Sequence, residues 1–132
     1  MSNFLEVKNL SVNFPTDDGL VRAVDNLSFS VAKGKTLGIV GESGSGKSVT
    51  SFSIMRLHDS KNTNITGSIE FENISLLKLS DHEIRNYRGN KMAMIFQEPM
   101  TSLNPVFTCG YQVQEAIILH QKVSKAVAKA QT

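Results

Sequence analysis

Gly41-Glu42-Ser43-Gly44-Ser45-Gly46-Lys47-Ser48 reads GESGSGKS and fits the phosphate-binding loop pattern G-x-x-x-x-G-K-[ST]. Whether the match has structural meaning depends on its flanks. Thr36-Leu37-Gly38-Ile39-Val40 precedes it as a short, mostly apolar run, the composition of a strand buried on both faces. Ser48 to Leu57 follows it without Gly or Pro and carries Val49, Phe52, Ile54, Met55 and Leu57, apolar residues on more than one side of a helix, as burial requires. Strand, glycine loop and helix in that order is the context the pattern needs. At ordinary residue usage, a chance match in a chain this long has a frequency of about half a per cent.

The residue types follow from the chemistry. Gly41, Gly44 and Gly46 carry no Cβ and reach φ > 0, so the backbone can wrap closely around a phosphate. The loop N–H groups and the positive end of the following helix make an anion nest. Lys47 adds a compact charge for the β- and γ-phosphates, and the Ser48 hydroxyl is placed to ligand Mg²⁺.

The chain of 132 residues suffices for one modest domain that buries roughly two-thirds of its unfolded surface. Its net charge of +2 is spread without a Lys/Arg block, so nucleic acid is not indicated as a partner. The single Cys109 excludes an internal disulfide framework and reads as a small hydrophobe. No apolar run approaches a membrane span, and MSNFLEVKNL lacks a signal-peptide layout. The expectation is a cytosolic protein that reaches a membrane only by docking onto something else.

Upstream of the loop, Leu5, Val7, Val12 and Phe14 alternate with polar neighbours, Pro15 to Gly19 forms a turn cluster ending in Asp-Gly, and Leu20 to Val24 resumes strand character. That pattern is a hairpin. Leu27, Phe29 and Val31 alternate with Ser28, Ser30 and Ala32 as a further half-buried strand, and Lys33-Gly34-Lys35 turns the chain towards the loop. Downstream, residues 59–66 are polar and Asn-rich and predict a loop, and Gly67 to Phe71 predicts a short strand. Ser80 and Glu83 stand as a capping box for a helix from Asp81 to about Tyr87, stopped by Gly89. Met92-Ala93-Met94-Ile95-Phe96 has the length and composition of a strand, and Gln97 to Pro105 is loop. Tyr111 to Gln121 predicts a helix with Val113, Ala116, Ile117 and His120 at helical spacing, and a last helix places Val123, Ala126, Val127 and Ala130 on one face. Antiparallel β at the front and a strand-loop-helix unit behind it make a mixed α/β architecture.

Phosphate loops serve many chemistries, so the loop alone does not choose a function. A second stretch does. Ile95-Phe96-Gln97-Glu98-Pro99-Met100-Thr101-Ser102-Leu103-Asn104-Pro105 resembles the Q-loop of ABC-transporter ATPases, in the wording of the ATPase subunits of oligopeptide and dipeptide importers. GIVGESGSGKS and Val21-Arg22-Ala23-Val24-Asp25-Asn26-Leu27-Ser28-Phe29 are similar to the same subfamily, and the resemblance runs from about residue 4 to about residue 125. It implies a P-loop nucleotide-binding fold of ABC ATPase type. Residues 1–35 would be the antiparallel β region, 36–107 the core through the Q-loop, with an incomplete core sheet, and 108–132 the start of a helical subdomain.

The resemblance also implies roles. The nucleotide-contacting set would be Phe14, Gly41, Glu42, Ser43, Gly44, Ser45, Gly46, Lys47, Ser48, Val49 and Gln97, with ATP and Mg²⁺ as cofactors. Gln97 would join Ser48 on Mg²⁺ and sense the γ-phosphate; Phe14 would stack on adenine, against the competing reading of a hairpin core residue. The loop after Gln97 would meet membrane-embedded permease subunits, and a second ATPase subunit, identical or not, would complete the site at the cytoplasmic face of the membrane. Glu98 as a general base and His120 as a switch histidine are look-alikes: the continuation after Glu98 fits the Q-loop, and His120 falls on a predicted helix.

The family's signature sequence, its Asp-Glu strand, its D-loop and its switch histidine have no counterpart within 1–132, so the expected catalytic set in this chain is none. The expected function is ATP binding as part of the ATPase subunit of a peptide importer. The alternatives are a non-catalytic truncated fragment, or the ATPase of a nickel or other small-solute importer. With the 36–40 strand lacking neighbours, the isolated chain is expected to be marginally stable or self-associating.

Overall fold

The computed structural model describes residues 3–98 and 102–132. The chain forms two compact units, Met1–Ile84 and Arg85–Thr132.

The first unit is built on a four-stranded antiparallel sheet of order β2-β1-β3-β4. Its strands are β1 (Leu5–Thr16), β2 (Gly19–Val31), β3 (Asn64–Phe71) and β4 (Ile74–Ser75). The expected hairpin is present: Thr16 pairs with Gly19 across Asp17-Asp18, and the Thr16 hydroxyl donates to the Gly19 carbonyl at 2.8 Å. The two strand segments predicted at 20–24 and 27–31 are one strand, β2, whose register against β1 is reset by bulges around Asn9 and Asn26. Both asparagines have positive φ, and their N–H groups donate to Ser28 Oγ at 2.8 Å and Ser11 Oγ at 2.9 Å. The bulges therefore leave neither donor unsatisfied. They also reset the side-chain alternation, so that Val7, Leu10 and Val12 all point into the core with Ile69 and Phe71.

β3 begins at Asn64, three residues before its predicted start, because after the bulge Asn64, Ile65 and Thr66 pair with Asn13, Val12 and Ser11. Gly67 sits at that step, with φ 96° and a Cβ position only 2.4 Å from the Asn9 carbonyl oxygen. No side chain fits there.

Helix α1 (Lys47–Ile54) packs on β1 and β2. It buries Thr50 and Ser53 rather than the larger apolar residues, and their hydroxyls return to the carbonyls of Gly46 and Val49 at 2.9 and 2.8 Å, which satisfies them inside the contact. The helix ends three residues short of Leu57. Arg56 adopts φ 50°, Leu57 N–H donates to Phe52 and Arg56 N–H to Ser53, the paired bonds of a Schellman stop. The Arg56 guanidinium then reaches the carbonyls of Leu76 and Leu79 and the Asp81 carboxylate, tying the short 3-10 turn Leu76–Lys78 to the end of α1.

Two predicted strands are not strands. Residues 36–40 and 93–96 form no regular element and have no ladder partner among the described residues, and Val40 is 94% and Ile95 98% exposed. An apolar run supplies propensity, but a strand requires a neighbour to pair with. Only Met92 of that second run makes a bridge, to Arg88.

Helix α2 (Asp81–Tyr87) matches its predicted span. Its capping box is formed: Ser80 N–H and Oγ both donate to Glu83 Oε2 at 2.7 Å, and Glu83 N–H donates to Ser80 Oγ at 3.3 Å. Those bonds, the hydroxyl's first, hold the Glu83 carboxyl below its ordinary pKa.

The second unit carries the hairpin of α3 (Cys109–Gln121) and α4 (Lys125–Gln131). α3 starts two residues before its predicted start because Thr108 Oγ1 accepts from Tyr111 N–H at 3.2 Å. Ser124 caps α4 in the same way. The face of α4 that packs is centred on Ala128, fully buried, while Val127 is exposed. The predicted stripe of Val123, Ala126, Val127 and Ala130 is thus rotated: Lys122 at φ 54° turns the chain, and the helix begins only after Ser124.

Candidate phosphate-binding site

Gly41 to Ser48 leads from the irregular segment 36–40 into the first turn of α1. Gly44 and Gly46 hold φ 81° and 84°, and Ser45 N–H donates to the Glu42 carbonyl at 3.2 Å. Alternating left-handed residues in this way turns successive N–H groups towards one side. Gly46 is the N-cap of α1, and no side chain caps the helix or places a carboxylate in its first turn. The first-turn donors and the helix dipole therefore face outwards as a site for an anion.

Lys47 closes the loop from within. Its Nζ donates to the carbonyls of Gly41 at 2.8 Å and Glu42 at 2.6 Å and to Ser45 Oγ at 3.1 Å. Those three bonds use all three ammonium protons, so the cation holds the loop in shape. Ser48 is exposed next to it, and its hydroxyl has no hydrogen-bond partner among the described residues. A neutral oxygen beside a phosphate nest suits a hard divalent cation. Glu42, Ser43 and Ser45 are exposed, and Val49 is half-buried.

Phe14 lies on β1 in the same unit. It is half-buried and meets the His58 ring at 5.4 Å between centroids and 74° between planes. His58 Nε2 bonds to the Val49 carbonyl at 3.1 Å, so the aromatic ring of β1 is linked through His58 to the start of α1. Sequence reasoning assigned His58 no role; a histidine in a polar stretch carries no local signal of the two strand and helix residues that the fold brings to it.

Gln97 occupies an exposed bend of the second unit. Of the loop after it, Pro99, Met100 and Thr101 lie outside the described residues. Its end is ordered by Gln112, a residue the sequence did not single out. Gln112 Oε1 accepts from Asn104 N–H at 2.8 Å, and Nε2 donates to the carbonyls of Asn104 at 3.0 Å and Phe107 at 3.1 Å. Leu103, Val106 and Phe107 remain exposed there, with Phe107 stacked on Tyr111 at 5.3 Å. His120 lies on α3 in contact distance of Gly89, where an added Cβ would come within 2.4 Å of its Nε2; this is a packing position. Among the described residues there is no cluster of metal-ligating side chains, and no helix is long and apolar enough to cross a membrane.

Comparison with known proteins places this geometry. The dipeptide transport ATP-binding protein DppD of Bacillus subtilis is 51% identical over 130 residues, 98% of this chain and 39% of that protein. The oligopeptide transport ATP-binding protein OppD of Escherichia coli is 51% identical over 124 residues, 94% of this chain and 36% of that protein. The chain thus spans little more than a third of the length of these relatives. A dimeric ATP-binding cassette solved in a post-hydrolysis state with ADP and Pi superposes with a TM-score of 0.80 at 24% identity, over 96% of this chain and 53% of that one. That likeness establishes the α/β fold of ABC ATPase cassettes. Residues 24–132 match the family described as ABC transporter, and the chain belongs to that family.

Proposed function

We propose that this chain binds Mg-ATP as the nucleotide-cradling part of the ATPase subunit of a peptide-importing ABC transporter, at the cytoplasmic face of the membrane. The observation that carries the reading is the loop itself: left-handed Gly44 and Gly46 run directly into the uncapped N-terminus of α1, with Lys47 in its first turn. The loop amides bind the phosphates and Lys47 joins them by exchanging its bonds to the loop for phosphate oxygens, Glu42, Ser43, Ser45 and Val49 line the same turn, Ser48 and Gln97 ligand Mg²⁺, and Phe14 supplies a face for adenine. The amide of Gln97 is a neutral ligand that can release the metal without a large electrostatic penalty. Residues 1–35 serve the base, 36–107 the phosphates and metal, and 108–132 begin a helical subdomain.

Relatives named for peptide, dipeptide and oligopeptide transport favour peptide over nickel as the solute. The dimeric state named for the structural neighbour supports a second ATPase subunit as partner. The exposed Leu103, Val106 and Phe107 support the loop after Gln97 as the surface for a permease subunit.

The decisive experiment is binding of ATP to the wild-type chain and to Lys47→Ala. Loss of retention on immobilised ATP is the expected result, and equal retention overturns the assignment. Ser48→Ala should weaken binding in Mg²⁺ and leave binding in a chelator unchanged; equal weakening in both would remove Ser48 from the metal.

A further inference from the structure

His58 joins three parts of the first unit. Its ring meets Phe14 of β1 at 5.4 Å and Phe52 of α1 at 5.8 Å, edge to face in both cases, an arrangement the ring quadrupoles favour. Its Nε2 lies 3.1 Å from the Val49 carbonyl. A carbonyl only accepts, so Nε2 carries the proton. Val49 directly follows Ser48, which places the anchor of this imidazole in the first turn of α1.

A simple hydrophobic filler would need no N–H, and a solvated loop residue would not enter between two phenyl rings. The strand around Phe14 turns outwards: it runs on to Pro15 and Thr16, and both of these and their partners Leu20 and Gly19 are exposed. A half-buried phenyl ring near the exposed turn end of a hairpin keeps rotameric freedom unless something fixes it.

We propose that His58 is a positioning residue for the base: it fixes the Phe14 ring relative to the first turn of α1. An aromatic heterocycle on Phe14 and phosphates on the 41–48 loop are thereby held in one register. The inference rests on the proposed role of Phe14. Without His58, the ordering of Phe14 falls on the binding step and weakens the base contribution by about threefold to tenfold.

The test is titration calorimetry of the chain with Mg-ATP and with Mg-inorganic triphosphate, which has no base. His58→Gln is expected to lower affinity for ATP about threefold to tenfold and for triphosphate by less than about twofold, and to add nothing further in a Phe14→Ala background. His58→Phe, which keeps a ring between Phe14 and Phe52 but loses the bond to Val49, should show the same selective loss at smaller size. Equal losses for both ligands in both variants would make His58 a structural support of α1 and overturn the proposal. A silent His58→Gln beside an active Phe14→Ala overturns the role of His58 alone. A Phe14→Ala variant with an unchanged ratio of the two affinities removes the Phe14 platform and the proposal with it.

Discussion

Gly46→Ala and Gly44→Ala test how the phosphate loop is held, because the two glycines share a backbone conformation and differ in surroundings. Both have φ above 80°, so an alanine at either costs about 1–2 kcal/mol of left-handed strain, offset by about 0.4–1 kcal/mol from the stiffer unfolded chain. At Gly44 nothing lies within 4 Å of the added Cβ, and the net loss should stay near 1 kcal/mol. At Gly46 the Cβ would stand 2.3 Å from the Ala23 carbonyl oxygen and 3.3 Å from Val24 Cγ2, so loop and strand must part by about 1 Å to reach normal contact. β2 cannot give that freely, since Val24 is buried and paired with Val12. Overpacking of this kind adds about 1–3 kcal/mol. Thermal melts followed by circular dichroism should therefore separate the variants by roughly 4–12 °C, at about 4 °C per kcal/mol for a chain of this size. Coincident melts would refute the claim that the start of α1 is wedged against β2.

Three further outcomes follow from the contacts. Arg56→Lys, which cannot reach Leu76, Leu79 and Asp81 at once, should cost about 2 kcal/mol in urea unfolding and raise amide exchange over residues 76–81; unchanged exchange would show that the guanidinium is not the tie. Gln112→Ala should accelerate exchange at the Asn104 amide with a global cost of only about 1 kcal/mol, and a protected Asn104 amide in the variant would contradict it. The Glu83 carboxyl is held below its ordinary pKa of 4.5 by Ser80, so the capping box stabilises α2 above that pH and loses its contribution as pH falls through the lowered folded value. The Glu83 side-chain resonance should titrate with a midpoint below 4.5, and Ser80→Ala should bring the midpoint up; a midpoint that does not move would remove Ser80 as the cause.

What was legible in the sequence is what depends on neighbours in sequence. The capping box of Ser80 and Glu83 gave the start of α2 and Gly89 its approximate end, and the glycine loop gave the start of α1 to within a residue, because turn and cap chemistry are settled within four or five residues. The start of β3 was missed because it depends on the bulge around Asn9: Asn64, Ile65 and Thr66 become strand only once the register against β1 has slipped. The buried face of α1 was misjudged for a similar reason. The apolar residues of 48–57 carried that expectation, whereas Thr50 and Ser53 can be buried because their hydroxyls bond back to their own helix. The runs at 36–40 and 92–96 carry strand composition, but pairing is a property of two segments and cannot be read from one.

The loop illustrates the same division within a single motif. Its pattern fixes glycine at the first and sixth positions, Gly41 and Gly46, and leaves the fourth, Gly44, open. The structure gives a separate reason for each. At Gly41 an added Cβ would meet Ser45 Oγ at 2.5 Å and lie 3.9 Å from Lys47 Nζ, so a side chain there would push apart the bonds by which Lys47 braces the loop. At Gly46 it would strike β2 itself. At Gly44 it would meet nothing, and only φ restricts the residue. Gly46 is thus required by the protein's own packing before any phosphate arrives, Gly41 is favoured because a side chain there would displace the Ser45 hydroxyl from Lys47, and Gly44 is restricted by dihedral angle alone. Asparagine tolerates the left-handed region better than other residues with a side chain. Gly44→Asn should therefore melt nearer to wild type than Gly44→Ala, whereas Gly46→Asn should gain nothing over Gly46→Ala, because its obstacle is the Ala23 carbonyl and not the backbone angle. Equal rescue at both positions would mean that dihedral strain governs the whole loop and that the contact with β2 carries no weight.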